Sequence, residues 1–133
     1  MTEDLVELLM AARIVQARAH VPYSKFRVGA ALRTPAGNVY AGCNVENAAY
    51  PQGWCAEASA IAAMVSAGET AIETIMVICD GEMLGTPCGG CRQKIREFAI
   101  PTTMIHVAGS IPEAGSTGEE VIIRSSYTMD QLL

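Results

Sequence analysis

Three cysteines and one carboxylate are the residues of this chain whose types and spacing could do chemistry. Cys55-Ala56-Glu57 and Pro87-Cys88-Gly89-Gly90-Cys91 offer three thiolates spaced as metal ligands, with a glutamate two residues after the first. A closed structural zinc site uses four Cys or His side chains, whereas a catalytic one keeps a position for water. The set here is one ligand short, and that open position is the functional signal. Zinc held by Cys55, Cys88 and Cys91 would lower the pKa of a bound water toward ~7. Glu57 is poorly placed to ligate the same ion from a helix, but it can reach such a water and carry its protons. The competing reading is a closed site completed by a distant His20 or His106. It leaves Glu57 and Pro87 as coincidences. His106 lies in an apolar run and reads as an ordinary core or surface histidine, and His20 as a helix end.

Cys-x-Glu followed by Pro-Cys-x-x-Cys is a signature of zinc nucleobase deaminases, and the chain resembles the cytidine deaminase family, in its small three-cysteine, homotetrameric type. The resemblance implies hydrolytic deamination of cytidine and 2′-deoxycytidine to the uridines with release of ammonia, in pyrimidine salvage, with one zinc ion per subunit. It also implies roles on the substrate side. Phe26, in Tyr23-Ser24-Lys25-Phe26-Arg27-Val28, matches the aromatic that packs on the pyrimidine. Asn44 and Glu46 match the pair that holds the ribose 3′-hydroxyl, the backbone of Ala56 would bind the pyrimidine O2, and the carbonyl of Thr86 would accept from the amino group. Ala48 and Tyr50 match positions that reach the 5′-hydroxyl of a nucleoside in a neighbouring subunit, so the site would be built across an interface. Taken alone, Phe26 reads as core, Asn44 and Glu46 as a polar strand end, and Tyr50 as a loop aromatic. Trp54 could wall the site or pack at an interface. Relatives often carry an arginine directly after the catalytic glutamate, to donate to the cysteine sulfurs; here that position is Ala58, and Arg92 is the remaining candidate. Relatives also commonly extend past the Leu132-Leu133 pair, with an aromatic for a neighbour's site.

The elements that must position these residues follow from periodicity. Leu5, Leu8, Leu9, Ala12, Val15 and Ala19 fall at helical spacing after Thr2, with Glu3 and Asp4 in the first turn, so a helix is predicted that ends before Pro22. Phe26 to Arg33 alternates, Pro35-Ala36-Gly37-Asn38 is a turn, and Val39 to Val45 completes an antiparallel hairpin. A buried, alanine-rich helix runs from Cys55 to about Ala67 and stops at Gly68. Ile75 to Cys79 reads as a strand covered on both faces. Cys88 opens a further helix, Thr102 to Val107 is a strand, and together they predict a right-handed parallel crossover. Gly109 to Gly118 reads as a connection to a strand at Val121-Ile122-Ile123, and Thr128 to Gln131 as a capping box. Cys43, Cys79, Met64, Met76 and Met104 are read as core fillers. The sum is a single domain over residues 1–133, a three-layer α/β/α sandwich with a mixed five-stranded sheet. Both cysteine clusters fall at helix starts, where backbone N–H groups and the helix dipole favour thiolates.

Composition narrows the partners. The 133 residues are half apolar and carry a net charge of −5, with no basic run of the kind that binds a nucleic-acid backbone. A free small molecule, which the resemblance makes a nucleoside, is therefore the expected partner, against an RNA- or DNA-editing enzyme. Five cysteines, three at metal spacing and with no signal peptide ahead of the first helix, favour a reducing, cytoplasmic compartment over a disulfide framework. No apolar run approaches the ~20 residues of a membrane span. Two further readings remain open: deamination of another aminopyrimidine nucleoside such as blasticidin S or of an aminopurine base, and a zinc-stabilised interaction domain without activity.

Overall fold

The computed structural model of the chain describes residues 2–80, 89–112 and 119–132. Helix α1 spans Glu3–Gln16; the Thr2 hydroxyl caps it by accepting from the Leu5 N–H at 3.3 Å, and Leu8, Leu9 and Ala12 form its buried face. It ends earlier than the apolar spacing predicts. After Gln16 the N–H groups of Arg18 and Ala19 bond only three residues back, to Val15 and Gln16, a tightening that satisfies helix ends. His20 then pairs with Val45 as an isolated bridge.

Strands β1 (Val28–Arg33) and β2 (Val39–Cys43) form the predicted hairpin. Helix α2 covers Ala56–Ser66, β3 Ile72–Cys79, α3 Gly89–Phe98, β4 Ala99–Pro112, β5 Glu119–Thr128 and α4 Met129–Leu132. The sheet order is β2-β1-β3-β4-β5. Among the described strand pairs of this sheet only β3–β4 is parallel, as a strand–helix–strand crossover through α3 requires. β4 runs on through residues 109–112, which the sequence reads as a connection. There its pairing with β5, as far as Pro112 opposite Glu119, overrides the turn-like composition.

Alternation along the central strands sends side chains to two cores, one on each face of the sheet. Ala30, Leu32, Ile75, Val77, Cys79 and Ile105 pack with Ala56, Ala60, Ile61 and Met64 of α2 and Ile95 of α3. Ala31, Met76, Ile78 and Ala108 pack with Leu8, Leu9 and Ala12 of α1. This gives the expected α/β/α layers. Met64 and Met76 are fully buried, whereas Met104 is only half-buried, as is Cys43. At the far end of β5, Thr128 and Gln131 bond reciprocally, Thr128 N–H to Gln131 Oε1 at 2.8 Å and Gln131 N–H to Thr128 Oγ1 at 3.3 Å. That is the predicted capping box.

Two features of this frame decide where chemistry can sit. Helix α2 precedes β3 and α3 follows it, so both helices begin at the carboxyl end of β3, the end of an α/β sheet where ligands gather. Gly42 of β2 lies directly under α2, which brings the helix close to the sheet.

Candidate functional site

Cys55 is the N-cap of α2, with extended backbone (φ −72°, ψ 153°), and its thiol is not used to cap the helix. Glu57 follows in the first turn and is only 5% exposed. Cys91, in the first turn of α3, is fully buried and its thiol donates to the Glu57 carboxylate. The two helix starts therefore meet through this pair. Burial pushes the Glu57 carboxyl up from its ordinary range, against smaller opposing effects of its own N–H, the Cys91 thiol and Lys94. A buried carboxyl with a raised pKa, set between two helix starts, is a candidate proton carrier. Cys79, at the end of β3, is buried nearby; burial, with the Glu57 and Asp80 charges adding to it, holds its thiol at about 12. It is a thiol rather than a thiolate.

A groove of about 700 Å³ opens beside Cys55. It brings together Asn44, Glu46, Ala48, Tyr50 and Cys55, with Tyr23, Ser24 and Trp54 on its walls. Phe26, Ala56 and Glu57 do not line it. Phe26 lies just before β1, so it is not a strand residue as the alternation predicts, and its ring is 38% exposed. Ala56 is buried at the first position of α2, where the backbone N–H has no partner within the helix. Val45 and Trp54 bond to each other through their backbones at 2.9 and 2.8 Å, which closes the loop carrying Ala48 and Tyr50, and His20 bonds through its backbone to Asn44 and Glu46 beside it.

Asn44 and Glu46 have structural work that their sequence positions do not announce. Asn44 Oδ1 accepts from the Val28 N–H at 2.9 Å and its Nδ2 donates to the Phe26 carbonyl at 3.0 Å. Glu46 Oε1 accepts from the N–H groups of Tyr23 and Ser24, both at 3.1 Å. Hydrogen bonds from Ser24, side chain and backbone, and from Tyr23 hold its carboxyl below the usual range. Each still has capacity: an amide carries two N–H donors, and a carboxylate about four acceptor sites. Nothing in the sequence marks Tyr23 and Ser24 for a part in the site, nor Asp80 and Gln16, which bond to the chain next to Phe26. Asp80 ends the apolar β3 run, at the carboxyl edge of the sheet where a polar residue deserves a functional reading.

Thr86, Pro87 and Cys88 lie outside the described residues. Among the described residues no three His, Cys, Asp or Glu side chains form a metal-holding group. The donor chemistry nevertheless fits zinc: Cys55 and Cys91 are soft ligands at two helix starts that meet, and a buried carboxylate stands at the junction. Arg92, next on α3, is half-buried.

Residues 2–107 match the family model described as the cytidine and deoxycytidylate deaminase zinc-binding region. A cytidine deaminase of Sporosarcina psychrophila is 41% identical over 113 residues, covering 83% of each chain. One from Halalkalibacterium halodurans is 39% identical over 101 residues, covering 74% of this chain and 76% of that one. Among solved structures, cytidine deaminase from Mycobacterium leprae superposes with a TM-score of 0.75 at 31% identity, covering 99% of this chain and 98% of that one. That from Burkholderia pseudomallei has a TM-score of 0.75 at 35% identity, with 92% and 93% covered. The family model is that of a zinc-binding region, and superposition over nearly the whole chain extends the likeness beyond the motif. This chain belongs to the cytidine and deoxycytidylate deaminase family.

Proposed function

We propose that the protein hydrolyses the exocyclic amino group of cytidine and 2′-deoxycytidine, taking up water and releasing ammonia and the corresponding uridine, in pyrimidine salvage in the cytoplasm. Cys55, Cys88 and Cys91 hold one zinc ion per subunit. When bound, zinc supplies an activated water at neutral pH. Glu57 takes a proton from the attacking water and passes it to the pyrimidine N3, then takes the proton of the new C4 hydroxyl and gives it to the departing amine, so that ammonia leaves as the C4 carbonyl forms. The single observation that carries this reading is the buried Glu57 in the first turn of α2, bonded to Cys91 of α3. A buried carboxylate costs stability unless it has partners or a use.

The remaining residues bind and orient. Phe26 packs on the pyrimidine face, the Ala56 N–H meets O2, and the Thr86 carbonyl accepts from the amino group. The second Nδ2 hydrogen of Asn44 and the remaining acceptor capacity of Glu46 serve the ribose 3′-hydroxyl. Arg92 donates toward the sulfurs in place of an arginine at Ala58. Tyr50, 91% exposed, and Trp54, 59% exposed, stand on the rim of the groove. Large aromatics left in water beside a site favour a partner surface, here further copies of the chain in a homotetramer, with Ala48 and Tyr50 reaching the 5′-hydroxyl of a neighbour's substrate.

The test is Glu57→Gln. The variant is expected to bind zinc stoichiometrically and to lose about 10²–10⁴-fold in turnover of cytidine by ultraviolet assay, while sedimentation of the same preparation reads four subunits. A zinc-stabilised interaction domain would instead show no cytidine turnover in the unaltered protein. Full activity in Glu57→Gln would remove the carboxylate from the mechanism.

A further inference from the structure

The stretch before β1 is held in an unusual way. Regular pairing of β1 begins at Val28, opposite Cys79 on one side, and at Gly29, opposite Cys43, on the other. One step upstream, side chains take over from the missing strands. Asp80 Oδ2 accepts from the Arg27 N–H at 2.9 Å and from Arg27 Nε at 3.2 Å. The Arg27 carbonyl accepts from the Asp80 N–H and from Gln16 Nε2, both at 3.2 Å, and Gln16 Nε2 also lies 3.3 Å from Asp80 Oδ1. On the opposite edge Asn44 takes the Phe26 carbonyl and the Val28 N–H, while the Phe26 N–H donates to Ser24 Oγ at 3.0 Å. Every backbone polar group of Phe26 and Arg27 is thereby engaged.

This clamp has something to hold. Lys25, immediately before Phe26, has φ +62°, a left-handed conformation that a residue with a long side chain adopts only when its surroundings impose it. The Phe26 ring is more than a third exposed, so core packing does not fix it. Its place depends on its backbone. Gln16 can join because α1 crosses β1 at Gly29, where an added Cβ would run into the Ala12 carbonyl and Gln16 itself.

We infer that Asp80, seconded by Gln16, is a positioning residue for substrate binding: it clamps Arg27 from the β3 side as Asn44 clamps from the β2 side, and so sets the Phe26 ring. The inference rests on the reading above in which Phe26 packs on the pyrimidine. The Arg27–Asp80 ion pair is itself half in solvent and contributes little; the bond to the Arg27 N–H carries the effect. Stacking on the base is present in both ground and transition states, and its loss raises KM while leaving kcat in place.

The experiment compares zinc-loaded wild type, Asp80→Ala and Asp80→Asn. For Asp80→Ala the KM for cytidine is expected to rise about tenfold, one decade of affinity, with kcat within roughly threefold and zinc content unchanged. Asp80→Asn keeps an acceptor for the Arg27 N–H and recovers part of that loss. In Asp80→Ala, amide exchange at Arg27 and Val28 accelerates, while amides of Ile75 to Val77 keep their protection. An unchanged KM, a fall confined to kcat, loss of zinc, or unaltered exchange at Arg27 would each overturn the inference. If the wild type fails to turn over cytidine, the proposed function fails, and exchange at Arg27 still decides whether the clamp exists.

Discussion

Replacing Gly42 by alanine tests whether the sheet sets the position of the candidate site. A Cβ at this position would stand 2.5 Å from the Ala60 nitrogen and the Ser59 Cβ, and 2.7 Å from the Ser59 carbonyl carbon. Ordinary contact begins near 3.4 Å, so α2 must retreat from β2 by about 1 Å, and two of the three atoms are backbone that cannot swing aside. Overpacking of this kind costs roughly 1–3 kcal/mol. For a domain of this size that lowers Tm by about 4–12 °C. The same helix carries Cys55 and Glu57 at its start, and a displacement near 1 Å at a catalytic group costs on the order of 10²-fold in rate. Thermal melting of the zinc-loaded variant and its kcat/KM for cytidine are the two measurements. The expected result is a folded protein with a lowered Tm and kcat/KM reduced by about two decades. A Tm within a degree of wild type together with kcat/KM within twofold would refute the close approach of α2 to β2.

Two further predictions concern groups away from the reacting centre. Glu69 accepts from the Tyr40 hydroxyl at 2.7 Å and from the Asn38 amide at 3.0 Å, and the Tyr40 bond above all holds its carboxyl below the usual range. A carboxyl whose folded pKa is depressed stabilises the fold fully above its unfolded pKa and ceases to do so as pH falls through the folded value. The Tm gap between wild type and Glu69→Gln should therefore be widest near neutrality and narrow as pH falls below the ordinary carboxylate range toward the depressed folded value; a gap constant across pH would contradict the shift. Cys79, with its thiol at about 12, presents a thiolate fraction of about 10⁻⁴ at pH 8. Alkylation of the native zinc-loaded protein followed by peptide mapping should leave Cys79 unmodified, whereas guanidinium exposes it. Early labelling of Cys79 in the native protein would show that it is not buried.

Much of this protein is written in short-range pattern. The Thr2 cap, the Thr128–Gln131 box, and the placement of Cys55 and Cys91 in helix starts depend on residues within a turn of one another, and such signals survive in any tertiary context. Cys-x-Glu and Pro-Cys-x-x-Cys are likewise local, which is why zinc chemistry and the family are legible before any coordinates. The ends of α1 and β4 were not. Hydrogen bonding tightened the last turn of one, and pairing with β5 lengthened the other, each against local composition. What only the tertiary structure decided is the meeting of groups distant in the chain: Gln16 and Asp80 on Arg27, Asn44 on Phe26 and Val28, Glu46 on Tyr23 and Ser24, and Gly42 beneath Ser59. Those contacts exist because the sheet order sets β1 between β2 and β3. Side-chain periodicity records which face a residue occupies, and carries no information about which neighbour will stand beside it.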